Sequence, residues 1–115
     1  MVSRDRLQRG VCPHGTPVIA YDALAGYTWY EEKAHGLGGE FLRVFYACAR
    51  EIPRNPLLYP KVYLEFRRRL LRRFPYAIYF RIEDEVVIVF GLFHCARDPR
   101  IIRAHLQDRD ALENP

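Results

Sequence analysis

Cysteine is scarce in this chain and badly spaced for a scaffold: Cys12, Cys48 and Cys95 form an odd set with no CxxC pair. That pattern argues against both a disulfide framework and a structural zinc site, so three reduced thiols are expected. Long apolar runs are missing as well. Nothing approaches the roughly 20 residues that span a bilayer, and the opening MVSRDRLQRG has no hydrophobic signal core. A cytoplasmic protein with no membrane role is the expectation. The four histidines, at 14, 35, 94 and 105, are scattered, so neither a metal nor another cofactor is expected.

What is present is the composition of one folded domain. The 115 residues are 50% hydrophobic and 28% charged, enough for a single core and too apolar for a disordered chain. Residues 1–115 read as one domain, with an irregular segment at 1–15 and a polar tail at 107–115. Net charge is +4, and its placement is uneven. Lys61 to Arg73 carries six Lys/Arg against one Glu, a local +5, so the rest of the chain sums to −1. A field concentrated on one segment attracts an anionic partner, whether nucleic acid or acidic peptide.

The chain is organised around FRRRLLRRFPYAIYFRIEDEVVIVFGLFHCARD, residues 66–98. Phe66 to Arg73, Tyr76 to Glu83 and Val86 to Phe93 are three successive runs of strand formers, so an antiparallel meander is expected. Phe74-Pro75 separates the first two runs, because proline offers no N–H to a ladder. The charged Glu83-Asp84-Glu85 belongs at an exposed hairpin tip, and with no glycine there its turn type stays open. VVIVFGLF is apolar at every position, which suggests a central strand covered on both faces. FRRRLLRR, with five arginines in eight residues, is expected nearer the sheet edge.

Upstream, Gly10, Pro13 and Gly15 allow at most a weak edge strand. Thr16-Pro17 starts a helix, VIAYDALAGYTWYEEKA, whose Tyr21, Leu24, Ala25, Thr28 and Trp29 fall on one stripe and are assigned to packing. His35-Gly36-Leu37-Gly38-Gly39 ends it in a tight connection. A second helix, from about Glu40 to Ile52, turns Phe41, Val44, Phe45, Cys48 and Ile52 inward. Pro53, Pro56 and Pro60 carry an irregular crossing to the meander, and Asp98-Pro99 caps a short helix, Arg100 to Leu106. The class is α+β: a two-helix hairpin on one face of a small antiparallel sheet, in the order weak β-α-α-β-β-β-α, with the other face partly open.

Three segments, WYEEKAHGLGGEFL, NPLLYPKVY and RRRLLRRFPYAIYFRIEDEVVIVFGLFHCARDP, resemble the ParE branch of the RelE/ParE toxins of type II toxin-antitoxin systems. The likeness runs from about Thr16 to Arg100. It implies a RelE/ParE-like fold and an antitoxin partner, ParD-like, whose C-terminal segment folds as it wraps the toxin. ParE-like members poison DNA gyrase through protein contact, whereas RelE-like members are ribosome-dependent endoribonucleases that cleave messenger RNA. In the latter an arginine commonly opens the strand equivalent to Tyr76–Tyr79. Tyr76 stands in its place here, and a phenol with a pKa near 10 carries no positive charge at pH 7. A gyrase-directed toxin is therefore the expected function, acting without catalysis and without direct sequence-specific DNA binding by this chain. The alternatives are a ribonuclease using Arg81, His94 and Arg97, and a weakened homologue that still binds antitoxin. The second alternative arises because VCPHG is a poor substitute for the regular first strand of the family.

The partner-binding candidates are Arg67, Arg68, Arg69, Arg72, Arg73 and Tyr76, weighed against a solvated edge strand that merely stays soluble. Strand alternation sends Arg68 and Arg72 to one face and Arg67, Arg69 and Arg73 to the other. His94 with Arg97 and Asp98 forms a possible acid-base and phosphate group, although helix capping by Asp98 explains the same residues. Trp29 is expected in the core. Tyr76, Tyr79, Phe80 and Phe93 are either base-stacking aromatics or, more simply, packing ones.

Overall fold

Two helices lead into an antiparallel meander, and the glycines decide how closely those helices approach. The computed structural model describes residues 16–113, so the weak strand expected within 1–15 lies outside the described residues. Helix α1 spans Thr16–Lys33 and helix α2 spans Leu37–Glu51. Gly36, with φ 88°, takes the left-handed turn between them. The Glu31 carboxylate, at the end of α1, accepts the N–H groups of Gly36 and Gly38, both at 3.0 Å. It thereby satisfies donors at the start of α2 that have no partner inside the helix. Gly38 and Gly39 thus belong to the first turn of α2 and not to the connection. A Cβ on Gly38 would sit 2.7 Å from the Tyr27 carbonyl, and one on Gly26 would sit 2.5 Å from the Phe41 ring.

This close approach overturns the face assigned to α1. Tyr21, Leu24, Ala25, Thr28 and Trp29 are all exposed, Tyr21 at 77%. The inward positions are Ile19, Ala23, Gly26 and Tyr30. The helix carries apolar residues on most of its circumference, so spacing alone does not select a face. The small side chains of Ala23 and Gly26 select it, because only they admit α2 at this distance. In α2 the expected residues do turn inward, with Phe41, Phe45, Cys48 and Ile52 buried.

Short 3₁₀ turns at Ile52–Arg54 and Pro56–Leu58 lead to four strands: β1 Lys61–Tyr63, β2 Phe66–Leu70, β3 Tyr76–Glu83 and β4 Val86–His94. They pair antiparallel in the order β1-β2-β3-β4. The meander was legible, but its edges were not. β1, hidden among prolines, is one edge, and the arginine strand β2 is interior. Among the described residues β4 is the other edge, although its sequence suggested a central strand. It is apolar throughout because helices cover both of its faces, which a fully apolar run reports without reporting centrality. Asp84 and Glu85 both have positive φ, 50° and 66°, between the paired Glu83 and Val86, which defines a two-residue type I′ turn.

Helix α3 spans Pro99–Glu113, twice the length expected, so residues 107–113 are helix and not tail. Asp98 caps it, Oδ1 accepting the Arg100 N–H at 2.9 Å. The helix lies on the sheet face that was expected to be partly open, so the helices are not confined to one side. On the first face α1 and α2 cover Ile78, Phe80, Val87, Val89 and Leu92. On the second, Ile102 and Leu106 of α3 cover Phe66, Tyr79, Ile88, Phe90 and Phe93. The class is α+β, with an antiparallel sheet between a helix pair and a single helix. No described helix is long and apolar enough to cross a membrane.

Candidate functional site

The arginine segment does not form one surface. β2 ends at Leu70, so alternation applies only to Arg67, Arg68 and Arg69. Arg67 and Arg69 pair in register with Phe80 and Ile78 and lie on the helix-pair face, while Arg68 pairs with Tyr79 on the α3 face. Arg69 is nearly buried, its side chain 12% exposed. It lies 2.7 Å from a Glu51 oxygen and donates to the Tyr59 hydroxyl at 2.6 Å. Arg67 donates to the Tyr59 carbonyl at 2.6 Å. Arg72 and Arg73 lie in the loop after β2 and reach back to α2, Arg72 to Glu51 at 3.1 Å and Arg73 to Glu40 at 2.8 Å. Arg72 therefore does not share a strand face with Arg68. The guanidinium of Arg73 holds Glu40, and that of Arg72 holds Glu51, below the ordinary carboxylate pKa. The local excess of positive charge is answered in part by the acids of α2, which pair with Arg69, Arg72 and Arg73; among the described residues Arg67 and Arg68 pair with no carboxylate, Arg67 being held by the Tyr59 carbonyl.

Arg68 opens instead into a cleft of about 220 Å³ between the sheet and the start of α3. Arg97, from the loop after β4, and Arg103, from α3, share its wall with Tyr63, Tyr79 and Cys95, and no carboxylate lines it. Arg103 lies over the Tyr63 ring at 5.4 Å and Arg97 over Phe93 at 5.6 Å. Three guanidinium groups around one concavity suit an anion, and phosphate oxygens match their fork geometry. Tyr63 adds an aromatic face at the rim.

At the same end of the sheet the His94 ring meets Tyr76 edge-on at 5.1 Å, and Nδ1 accepts the Ala96 N–H at 2.9 Å. In the neutral ring the proton then sits on Nε2. Arg97 Nη2 lies 3.2 Å from Nε2 of His105, which stacks on Phe93. Tyr76 packs against Phe41 at 5.0 Å and Tyr30 at 6.1 Å, beneath the helix pair. Burial, reinforced by the neighbouring Tyr30 phenol, pushes its pKa above the ordinary value. It is a packing residue with a polar tip and not part of an exposed arginine surface.

Arg81, grouped with His94 and Arg97 from the sequence, does not join them. It stands five residues along β3 from Tyr76, about 17 Å at strand rise. There it pairs with Glu83 and with Asp110 of α3, and lies over the Phe66 and Phe90 rings. Arg103 and Tyr63 were missed. Arg103 follows the buried Ile102, so a helix placed on the second sheet face would have carried it to the cleft wall. Among the described residues no group of His, Cys, Asp and Glu is arranged to hold a metal ion. No protein-family model, curated protein or solved structure matches the chain.

Proposed function

We propose that this chain is a toxin of the RelE/ParE type, closest to the ParE branch, that acts on DNA gyrase by protein contact and is neutralised by a ParD-like antitoxin. What supports this is the resemblance of the three sequence segments, joined to a helix hairpin laid over an antiparallel meander. The observation that carries the choice of branch is Tyr76. Where RelE-like ribonucleases commonly place an arginine for the scissile phosphate, this chain has a protonated phenol packed under Tyr30 and Phe41. The test is induction of the protein in bacteria without antitoxin, followed by assays of cleaved gyrase-DNA complexes, translation and mRNA integrity. Gyrase-dependent DNA breaks with intact mRNA are expected. Rapid mRNA cutting without DNA breaks would sink the assignment.

A second function, ribosome-dependent mRNA cleavage, is favoured by one observation, the carboxylate-free cleft of Arg68, Arg97 and Arg103. Those cations would hold the phosphate, and His94 or His105 beside it would move the 2′-hydroxyl proton. Arg81 has no part in that scheme. Substituting Arg68 and Arg103 together distinguishes the two, since mRNA cleavage would vanish while gyrase poisoning through other surfaces would persist.

A further inference from the structure

We propose that the arginine-lined cleft is a site of reversible mixed-disulfide formation, in which Cys95 exchanges with a small anionic disulfide and the adduct closes the cleft to other anions. Cys95 is exposed and shares the cleft wall with Arg68, Arg97, Arg103 and Tyr63. Reactive cysteines sit in exposed, electropositive surroundings, whereas cysteines sealed in a core are inert. Cys48 is of the second kind, fully buried under the helix pair on the opposite face of the sheet. The two described thiols therefore do not face each other. Among the described residues, exchange with a disulfide from outside is the disulfide chemistry left to Cys95.

The wall selects which disulfide reacts. Three guanidinium groups meet around one concavity that no carboxylate lines, so reagents bearing carboxylates are concentrated there and cationic ones are repelled. Asp98, three residues on, is engaged at the start of α3, where it accepts the Arg100 N–H at 2.9 Å and the Arg100 guanidinium at 3.0 Å. At about 220 Å³ the cleft is smaller than the roughly 300–1,000 Å³ that holds a drug-sized ligand. It takes one charged end of the reagent and leaves the rest in solvent, which fits a flexible peptide disulfide such as oxidised glutathione. The backbone fixes the thiol's position, the Cys95 N–H donating to the Pro75 carbonyl at 2.8 Å and the Arg97 N–H to the His94 carbonyl at 3.0 Å. In the exchange the Cys95 sulfur gives up its proton and attacks one sulfur of the reagent. The reagent's S–S bond breaks, a new S–S bond joins that half to Cys95, and the departing thiolate takes up the proton. The bound half sets its own carboxylates against the cleft arginines and so answers the charge that draws other anions. The inference rests on the anion-binding reading of the cleft and holds for either proposed target.

The full chain would be incubated with oxidised glutathione, with neutral hydroxyethyl disulfide and with cationic cystamine. Adducts are located by mass spectrometry of non-reduced fragments, and each rate is divided by that of a neutral model thiol with the same reagent. Cys95 should be labelled about tenfold faster by oxidised glutathione than by the neutral disulfide and slowest by cystamine, the spread shrinking at high salt. Arg68→Ala with Arg103→Ala should remove most of that preference. The salt dependence is read on the unaltered chain, so it decides even if the double variant misfolds. The adduct should lose retention on a phosphate-bearing matrix and regain it with dithiothreitol, while Cys95→Ser keeps its retention throughout. Retention of the unmodified chain tests the cleft itself, and its loss on modification tests this inference. Equal relative rates with the three reagents, labelling confined to other cysteines, or an adduct that binds phosphate as before would overturn the proposal.

Discussion

Asp22 of α1 and Arg109 of α3 meet at the outer edge of β4, Arg109 Nη1 lying 2.9 Å from Asp22 Oδ2, although their helices cover opposite faces of the sheet. The same Asp22 oxygen accepts the Leu92 N–H at 3.0 Å, and the same Arg109 nitrogen donates to the Phe90 carbonyl at 2.9 Å. The β3–β4 register shifts between Tyr79 and Phe80, leaving Phe90 as the extra residue of a bulge. One ion pair therefore satisfies the carbonyl of the bulge residue Phe90 and the outward Leu92 N–H of the strand edge, and blunts an apolar edge that invites pairing. Gly91 makes room for it, since a Cβ there would stand 2.6 Å from the Arg109 guanidinium.

Asp22→Ala should accordingly destabilise the fold by roughly 2–4 kcal/mol, because it strands a largely buried guanidinium and an N–H together. Asp22→Asn keeps an acceptor for Leu92 and should lose less. Urea unfolding checks this. The midpoint should fall with an unchanged slope, and a loss within 0.5 kcal/mol for Asp22→Ala would show the staple to be decorative.

The hairpin yields a prediction of opposite sense to helix propensity. Alanine normally improves a helix interior by up to about 1 kcal/mol over glycine. At Gly38 the added Cβ would meet the Tyr27 backbone carbonyl at 2.7 Å, and a backbone atom cannot rotate away. Gly38→Ala should therefore cost about 1–3 kcal/mol by overpacking, read as a lower thermal midpoint. Gly39→Ala, whose nearest atom is the flexible end of Arg43 at 3.9 Å, should be neutral or stabilising.

How far the sequence disclosed the molecule follows from the same contacts. The meander, the α2 face and the Asp98 cap were legible because strand formers, 3.6-residue spacing and capping chemistry are local signals. The α1 face was not, because two stripes compete around that helix and the small residues Ala23 and Gly26 decide between them only once α2 is in place. Nor was the fate of the arginines. A run of five looks like a binding strip, yet Glu40 and Glu51, 33 and 21 residues away from Arg73 and Arg72, consume part of it. The cleft was half visible, since Arg68 and Arg97 had been singled out but the reach of α3, which brings Arg103, had not.

Acid should loosen the molecule along a defined limb. Glu31 is held low chiefly by the Gly36 N–H, Glu40 and Glu51 chiefly by the Arg73 and Arg72 side chains, and Asp98 chiefly by Arg100. A carboxylate with a lowered folded pKa binds fewer protons folded than unfolded. Its contribution is therefore complete above the unfolded value, near 4, and is lost as the pH falls through the lower folded value. Thermal midpoints measured from pH 7 to pH 3 should begin to drop below about pH 5. The Glu51→Gln variant should start lower at pH 7 and show a shallower acid limb, and a parallel curve would assign the acid sensitivity to other groups.

The last prediction separates arginines that hold the fold from arginines that face solvent. Arg69 is wedged between α2 and the sheet with Glu51, Tyr59 and the Cys48 thiol around it, the thiol at 3.4 Å. Arg69→Ala should cost about 2–4 kcal/mol, since Glu51 loses its closest cation and a cavity opens beside Cys48. Arg72→Ala and Arg73→Ala remove exposed pairs and should stay within about 1 kcal/mol. Arg68→Ala and Arg103→Ala should leave stability nearly unchanged yet weaken retention of the chain on a phosphate-bearing matrix, and do so less at high salt, where the cleft charges are screened. If Arg72 and Arg73 governed retention instead, the anion surface would lie on the α2 flank and the cleft would be only a structural recess.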